Sequence, residues 1–220
     1  KILDLLGYKF SKSCIHVSHG LYLGEDGKKF ATRKGKTVFL EEVLEETISL
    51  AKREILKREK VNEKELEKRA RVIAIAAILY GDLKSYRNSD IVFDIEKFLA
   101  FEGDTGPYLL YTYARAKSIL EKANYKKKKY KIKDLSDNEK LLIKELSNFS
   151  KMVEKAYEDL APNVIANYSY QISKIFNEFY HSSKVIGAEN EQFKLVLVDC
   201  FSQVLKNSLS LLGISVIEKM

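Results

Sequence analysis

Two prolines and ten glycines in 220 residues leave little material for long irregular loops and favour long helices. Cysteine is almost absent: Cys14 and Cys200 are too few for a disulfide framework, and the usage fits a reducing, intracellular setting. No apolar run approaches the ~20 residues needed to cross a bilayer, which excludes a spanning helix. Tryptophan is missing altogether, yet 13 Tyr and 11 Phe make the chain rich in aromatic rings. With 45% hydrophobic and 31% charged residues the composition is that of a globular protein, not a disordered one. The length suits one large domain or two small ones. Positive charge is in excess: 38 Lys and Arg against 31 Asp and Glu give a net +7, which favours a polyanionic partner. The sequence opens on Lys1 without a signal-peptide pattern and reads as the middle or end of something longer.

Eight of the ten glycines lie at or before Gly106, and only Gly187 and Gly213 follow. The first half is therefore expected to hold loops and strand, and the second to be almost wholly helical. Residues 13–23, SCIHVSHGLYL, alternate loosely and read as strand. A glycine-punctuated polar loop follows over 24–36. The spacing then predicts a charged amphipathic helix over 39–60, with Leu40, Val43, Leu44, Ile48, Ala51 and Ile55 on one face. Asn62 and Glu65 form a capping box for a second helix running to Tyr80, striped by Leu66, Ala70, Ile73 and Ala77. A turn at Asn88 and Ser89 leads to the short apolar run DIVF and a short helix over 96–101. Pro107 sits in the first turn of the next helix, with Thr105 as its cap, and that helix runs to about Ala123. A basic connector, KKKKYKIK, fills 126–133. Ser136 with Glu139 caps a helix over 141–149, and another follows to Leu160. Pro162 opens a long helix with Ile165, Tyr168, Ile172, Ile175, Phe176 and Phe179 on one side. The last helix, over 190–212, stops at Gly213 as a left-handed cap. From Pro107 onward the pattern is a bundle of about five helices.

Two stretches attract chemistry on composition alone. Residues 27–36, GKKFATRKGK, pack five cations and two glycines into ten positions. Such a loop suits a polyphosphate, whose developing charge its cations can meet, although composition by itself favours a solvated surface loop. It is not a Walker loop, since no G-x-x-x-x-G-K-[ST] stands here. Cys14, His16 and His19 resemble metal-ligand spacing, but a fourth ligand is missing and strand geometry splits them between faces, so no metal is expected.

Residue order carries more than composition. The stretch HVSHGLYLGEDGKKFATRKGKTVFLEEVL resembles the surroundings of the KMSKS signature of class I aminoacyl-tRNA synthetases, in the arginyl form commonly written KMSTRKG. Lys29, Thr32, Arg33, Lys34 and Gly35 match; Phe30 and Ala31 replace the usual Met and Ser. Further on, Gly81-Asp82-Leu83, Arg87-Asn88-Ser89-Asp90, Phe93-Asp94 and the run FEGDTGPYLLY over 101–111 follow the arginyl-tRNA synthetase pattern in order. So do Ala114-Arg115, Ala166-Asn167-Tyr168, Phe176-Asn177-x-Phe179-Tyr180, Val204-Leu205-x-Asn207 and the segment 211–214, down to Met220. The resemblance covers nearly the whole chain and leaves only 124–150 uninformative. It implies a mainly α fold: a short α/β remnant of a class I, Rossmann-type catalytic domain over 1–104, then a DALR-type helical anticodon-binding bundle over 105–220.

The activity implied by the resemblance is that of a cytoplasmic arginine–tRNA ligase. The family joins arginine to ATP, used with Mg2+, releases pyrophosphate and passes arginine to tRNA(Arg); no permanent cofactor is implied. Its HIGH signature and arginine pocket lie upstream of the KMSKS loop. No HIGH-like tetrapeptide occurs here, so the chain is expected to hold half of an ATP site and to be inactive alone. Lys29 is implied as the main cation for the pyrophosphate, supported by Arg33 and Lys34. His16, Gly20, Lys29, Thr32 and Gly35 are implied at the nucleotide, with Thr32 standing where KMSKS has its second lysine. For tRNA the resemblance implies Tyr108, Tyr111, Arg115, Asn177, Tyr180 and Met220. Splayed bases stack on such rings at ~1–3 kcal/mol each, although Tyr108 and Tyr111 read equally as core. Tyr168, Phe176 and Phe179 are expected in the core. Asn177 either meets a base edge or caps a neighbour. Lysines 126–129, with Lys131 and Lys133, are a solvated connector or a phosphate contact. The alternative to a ligase is a stand-alone, non-catalytic RNA-binding or assembly module that keeps the fold. The retained cationic loop favours the ligase. Oligomeric state is not legible in the sequence.

Overall fold

Helices carry almost all of the regular secondary structure in the computed structural model, which describes residues 1–24, 27–28, 39–130, 132 and 134–220. Before the bundle come α1 (Ile2–Leu5), a 3-10 turn at Lys9–Ser13, β1 (Tyr22–Leu23), α2 (Leu40–Leu56), α3 (Glu63–Leu83), β2 (Ile91–Val92) and α4 (Ile95–Phe98). The bundle is α5 (Gly106–Lys122), α6 (Asp137–Ser147), α7 (Phe149–Glu158), α8 (Asn163–Ser182) and α9 (Glu191–Leu211), matching the expected mainly α architecture. Among the described residues, no helix is long and apolar enough to cross a membrane.

Strands form only where a backbone partner exists. β1 and β2 pair in parallel, Tyr22 opposite Ile91 and Leu23 opposite Val92. The strand expected over 13–23 is thus corrected to its last two residues. The Ile91 and Phe93 amides donate to the Leu21 and Leu23 carbonyls, both at 2.9 Å. Residues 14–19 find no such ladder among the described residues, and Ile15 and Val17 are exposed. Alternation without a partner is not a strand.

The helices follow local chemistry more closely. In α2, Val43, Ala51 and Ile55 are buried as expected, and Thr47 joins them by donating its hydroxyl to the Val43 carbonyl at 2.6 Å. Leu40, expected on that face, is 73% exposed at the first position of the helix. Asn62 caps α3 by accepting from the Glu65 amide at 3.0 Å. The reciprocal half of the capping box is missing, because the Glu65 carboxylate accepts from Arg69 Nε at 2.8 Å instead. That hydrogen bond to Arg69 holds the Glu65 carboxyl below its ordinary range. On α6 the box is complete: Ser136 accepts from the Glu139 amide, and Glu139 accepts from the Ser136 amide. At the end of α9, Gly213 has φ +75°, and the Ile214 amide reaches back to the Leu209 carbonyl at 2.9 Å.

Thr105 sets the start of α5. Its hydroxyl accepts from the Tyr108 amide at 3.2 Å and donates to the Ala100 carbonyl at 2.5 Å. Gly106 follows because α5 begins pressed on α3: a Cβ there would stand 2.1 Å from the Ala76 carbonyl oxygen. The core lies inside the bundle, where Phe176 of α8 and Phe201 of α9 stack at 3.9 Å and 2° between planes. Ile165, Tyr168, Ile172, Ile175, Phe176 and Phe179 are all buried, as the pattern predicts. The α2–α3 pair shares this core through Ala51, Ile73, Ala77 and Tyr80. Burial, reinforced by a 2.6 Å hydrogen bond to the Asp104 carboxylate, pushes the Tyr80 phenol up, so it serves as a neutral donor.

Candidate nucleic-acid interface

Tyr111, Arg115 and Lys122 recur along one face of α5 at helical spacing. They form one wall of a cleft of about 770 Å³, closed by Tyr180, by residues 183–186 beyond α8, and by the C-terminal tail. Buried Ile214 and Ile217 anchor that tail, and Glu218 lies 3.6 Å from Lys117.

Arg115 is the centre of the site. Its Nη1 donates to Asn177 Oδ1 at 2.6 Å, and its Nη2 donates to the Tyr111 hydroxyl at 3.1 Å. The guanidinium carbon lies 4.8 Å from the Tyr111 ring centroid and 5.5 Å from that of Tyr180. Asn177 passes the network inward, its Nδ2 donating to the Tyr108 hydroxyl at 2.8 Å. Tyr108 then rests edge-on against Tyr170, with centroids 5.7 Å apart. The two rings beside Arg115 stay open to solvent, at 36% for Tyr111 and 37% for Tyr180. Half-exposed rings around a fixed guanidinium make a stacking platform for an unpaired base. A guanidinium has five N–H donors, so the two internal bonds leave others for a ligand.

Four of the six expected tRNA residues therefore meet in one cleft: Tyr111, Arg115, Tyr180 and Met220. Tyr108 and Asn177 lie behind it, each with internal partners, where they orient Arg115. Sequence reasoning missed Lys122, although its place seven residues after Arg115 carries the helical period. It also missed His181, whose ring packs edge-on against Tyr180 at 5.7 Å. Residues 183–186 gave no local signal.

The catalytic-loop expectation at Lys29, Thr32, Arg33, Lys34 and Gly35 falls outside the described residues. His16 and Gly20, expected on a strand, lie in the irregular segment before β1, and His16 is exposed. The Gly20 amide donates to the Arg87 carbonyl at 2.6 Å, and a Cβ there would meet the Ser89 carbonyl oxygen at 2.2 Å. Close backbone approach thus accounts for this glycine. Asp90 accepts from the Leu21 amide at 2.7 Å, and Ser18 donates to Asn88 at 3.0 Å. A smaller cleft of about 220 Å³ opens here, lined by His19, Gly20, Tyr22, Asp82 and Arg87 among others. Burial and the Asp82 carboxylate raise the Tyr22 phenol. Arg87 ties this region to the bundle by donating to the Asp159 and Leu160 carbonyls, at 2.9 and 3.0 Å, where α7 ends. Among the described residues, no group of three His, Cys, Asp or Glu is arranged to hold a metal ion.

Two family models match separate stretches of the sequence. Residues 1–95 match the catalytic domain of class I tRNA synthetases (R), and residues 109–220 match the DALR anticodon binding domain. The chain belongs to the arginyl-tRNA synthetase family. It is 40% identical over 224 residues to the arginine–tRNA ligase of Clostridium acetobutylicum, covering 100% of this chain and 39% of that one. To the arginine–tRNA ligase of Clostridium perfringens it is 41% identical over 226 residues, covering 100% of this chain and 40% of that one. The chain thus spans about two-fifths of the length of these curated relatives. Among solved structures, the arginyl-tRNA synthetase of Thermus thermophilus superposes with a TM-score of 0.89 at 30% identity, over 99% of this chain and 38% of that one. That of Plasmodium falciparum gives 0.79 at 27% identity, over 100% of this chain and 38% of that one. Within this arginyl-tRNA synthetase-family chain, Tyr111, Arg115, Tyr180 and Met220 all fall inside the DALR match, and Tyr108 stands one residue before it.

Proposed function

We propose that this chain is the part of an arginine–tRNA ligase that grips the anticodon loop of tRNA(Arg), and that its 29–35 loop serves arginine activation. The convergence of Tyr111, Arg115, Tyr180 and Met220 in one cleft carries the reading. An anticodon base leaves its stack, lies on the Tyr111 or Tyr180 ring and meets the free donors of Arg115, while Asn177 and Tyr108 hold that guanidinium in place. The division of labour is 105–220 for the anticodon and 1–104 for the catalytic end, joined through the core that α3 shares with α5. At the catalytic end, Lys29 with Arg33 and Lys34 meets the departing pyrophosphate, where charge grows as the bond to the leaving group breaks. His16, Gly20, Thr32 and Gly35 flank the nucleotide. ATP, as its Mg2+ complex, and L-arginine are substrates of the complete enzyme, in a cytoplasmic setting. Half a site cannot orient both substrates, so the chain alone is inactive in this reading.

Binding of an anticodon stem-loop transcript tests it. The chain is expected to hold the stem-loop of an arginine tRNA at least tenfold tighter than one whose anticodon bases are exchanged, since each lost base stack or edge contact is worth ~1–3 kcal/mol. Equal affinity for the two transcripts would remove the cleft from anticodon reading.

A further inference from the structure

Some lysines of the bundle are paired with a carboxylate. Lys117 lies 3.6 Å from Glu218, Lys219 lies 3.7 Å from Glu121, Lys140 lies 3.3 Å from Asp137, and Lys194 lies 3.9 Å from Glu139. The connector after α5 instead sets four lysines in a row. Lysines 126–129 are all exposed, and none of them forms an ion pair among the described residues. Neither does Lys122, one turn earlier on the cleft wall.

A run of like charges lowers its own repulsion by spreading apart, because neighbouring ammonium groups sit within a Debye length of one another. Here the chain is tied down at both ends of the run. The run leaves α5 through Asn124, at φ +47°, with the Tyr125 amide tied to the Leu120 carbonyl at 3.0 Å. Gln192, in the first turn of α9, donates its Nε2 to the Lys126 carbonyl at 3.2 Å. At the far end Tyr130 packs on the buried Phe193 ring, with centroids 5.7 Å apart. Four cations with no ion pair among the described residues are therefore fastened at both ends, and in sequence they follow α5, whose face carries Arg115 and Lys122.

We propose that Lys122 and lysines 126–129 form a phosphate-binding track for the RNA strand that leaves the cleft. This rests on the anticodon reading above. The bases held at Tyr111 and Tyr180 fix the register, and the track takes the backbone beyond them without regard to sequence. Only a polyanion with repeated charges, such as an RNA backbone, occupies a strip of this length.

The full chain and the variant K126Q/K127Q/K128Q/K129Q are to be titrated with the arginine anticodon stem-loop and its anticodon-exchanged counterpart over a range of salt. The variant is expected to lose on the order of tenfold in affinity at low salt for both transcripts. Its salt slope should fall by about 0.7 for each phosphate contact removed, with the ratio between the two transcripts and the melting temperature unchanged. An unchanged slope and affinity overturn the track while leaving the cleft intact. A loss accompanied by a lower melting temperature and an unchanged slope overturns it as well, by making the run a structural element. A wild-type chain that does not distinguish the two transcripts overturns the anticodon reading instead.

Discussion

Arg115→Ala is expected to weaken binding of the cognate anticodon stem-loop by about a hundredfold, roughly 2–3 kcal/mol. The substitution removes a cation that donates to the ligand, and hydrogen bonds to charged groups contribute about 1.5–3 kcal/mol. It also removes the group lying between the Tyr111 and Tyr180 rings, and it leaves Asn177 Oδ1 without its donor. Arg115→Lys restores charge but not the planar fork that faces both rings, so it should recover the salt-sensitive share of affinity and little discrimination. The check is a titration of each variant with cognate and anticodon-exchanged transcripts, alongside a melting curve. If both transcripts lose equally and the melting temperature drops, Arg115 packs the cleft and does not read the base.

The second large effect concerns stability. Phe201→Ala should lower the free energy of unfolding by ~3–5 kcal/mol, because it empties one side of the Phe176–Phe201 stack at the centre of the core. At roughly 2–4 °C per kcal/mol for a chain of this size, the melting temperature falls by about 6–20 °C. Both rings are fully buried, so no ligand contact is lost directly. Well below the new melting temperature, stem-loop affinity should stay close to that of the parent chain. A loss of stability under ~1 kcal/mol would mean that the two rings are not the packed centre of the bundle.

What the sequence revealed tracks how local the causes are. Thr105 before Gly106 and Pro107, the Ser136–Glu139 box and Gly213 each fix a helix end through neighbours a few residues away, and each was readable. The alternation over 13–23 overstates the strand because alternation is local while pairing is not: pairing depends on residues 91–92, far along the chain. Glu65 leaves its capping box for a subtler reason. Its carboxylate has two competing donors, the Asn62 amide about one turn before it and Arg69 one turn after, and the charged one takes it. In the cleft, the recurrence of Tyr111 and Arg115 on α5 was legible as a helical face. The bond from Arg115 to Asn177 crosses 62 residues, and only the fold brings the two together. Met220 had no pattern of its own and entered through resemblance alone; it reaches the cleft because Ile214 and Ile217 bury the tail ahead of it.

In the proposed function the anticodon lies in the cleft between α5, α8 and the tail. Cross-linking from a photoreactive uridine placed within the anticodon of the arginine stem-loop tests this most directly, with the attached peptide sequenced after digestion. Attachment is predicted within residues 108–122, 180–186 or 214–220, abolished by excess unlabelled cognate transcript and reduced by Arg115→Ala. Attachment confined to other surfaces, such as α2 or the outer face of α7, would remove the anticodon from this cleft.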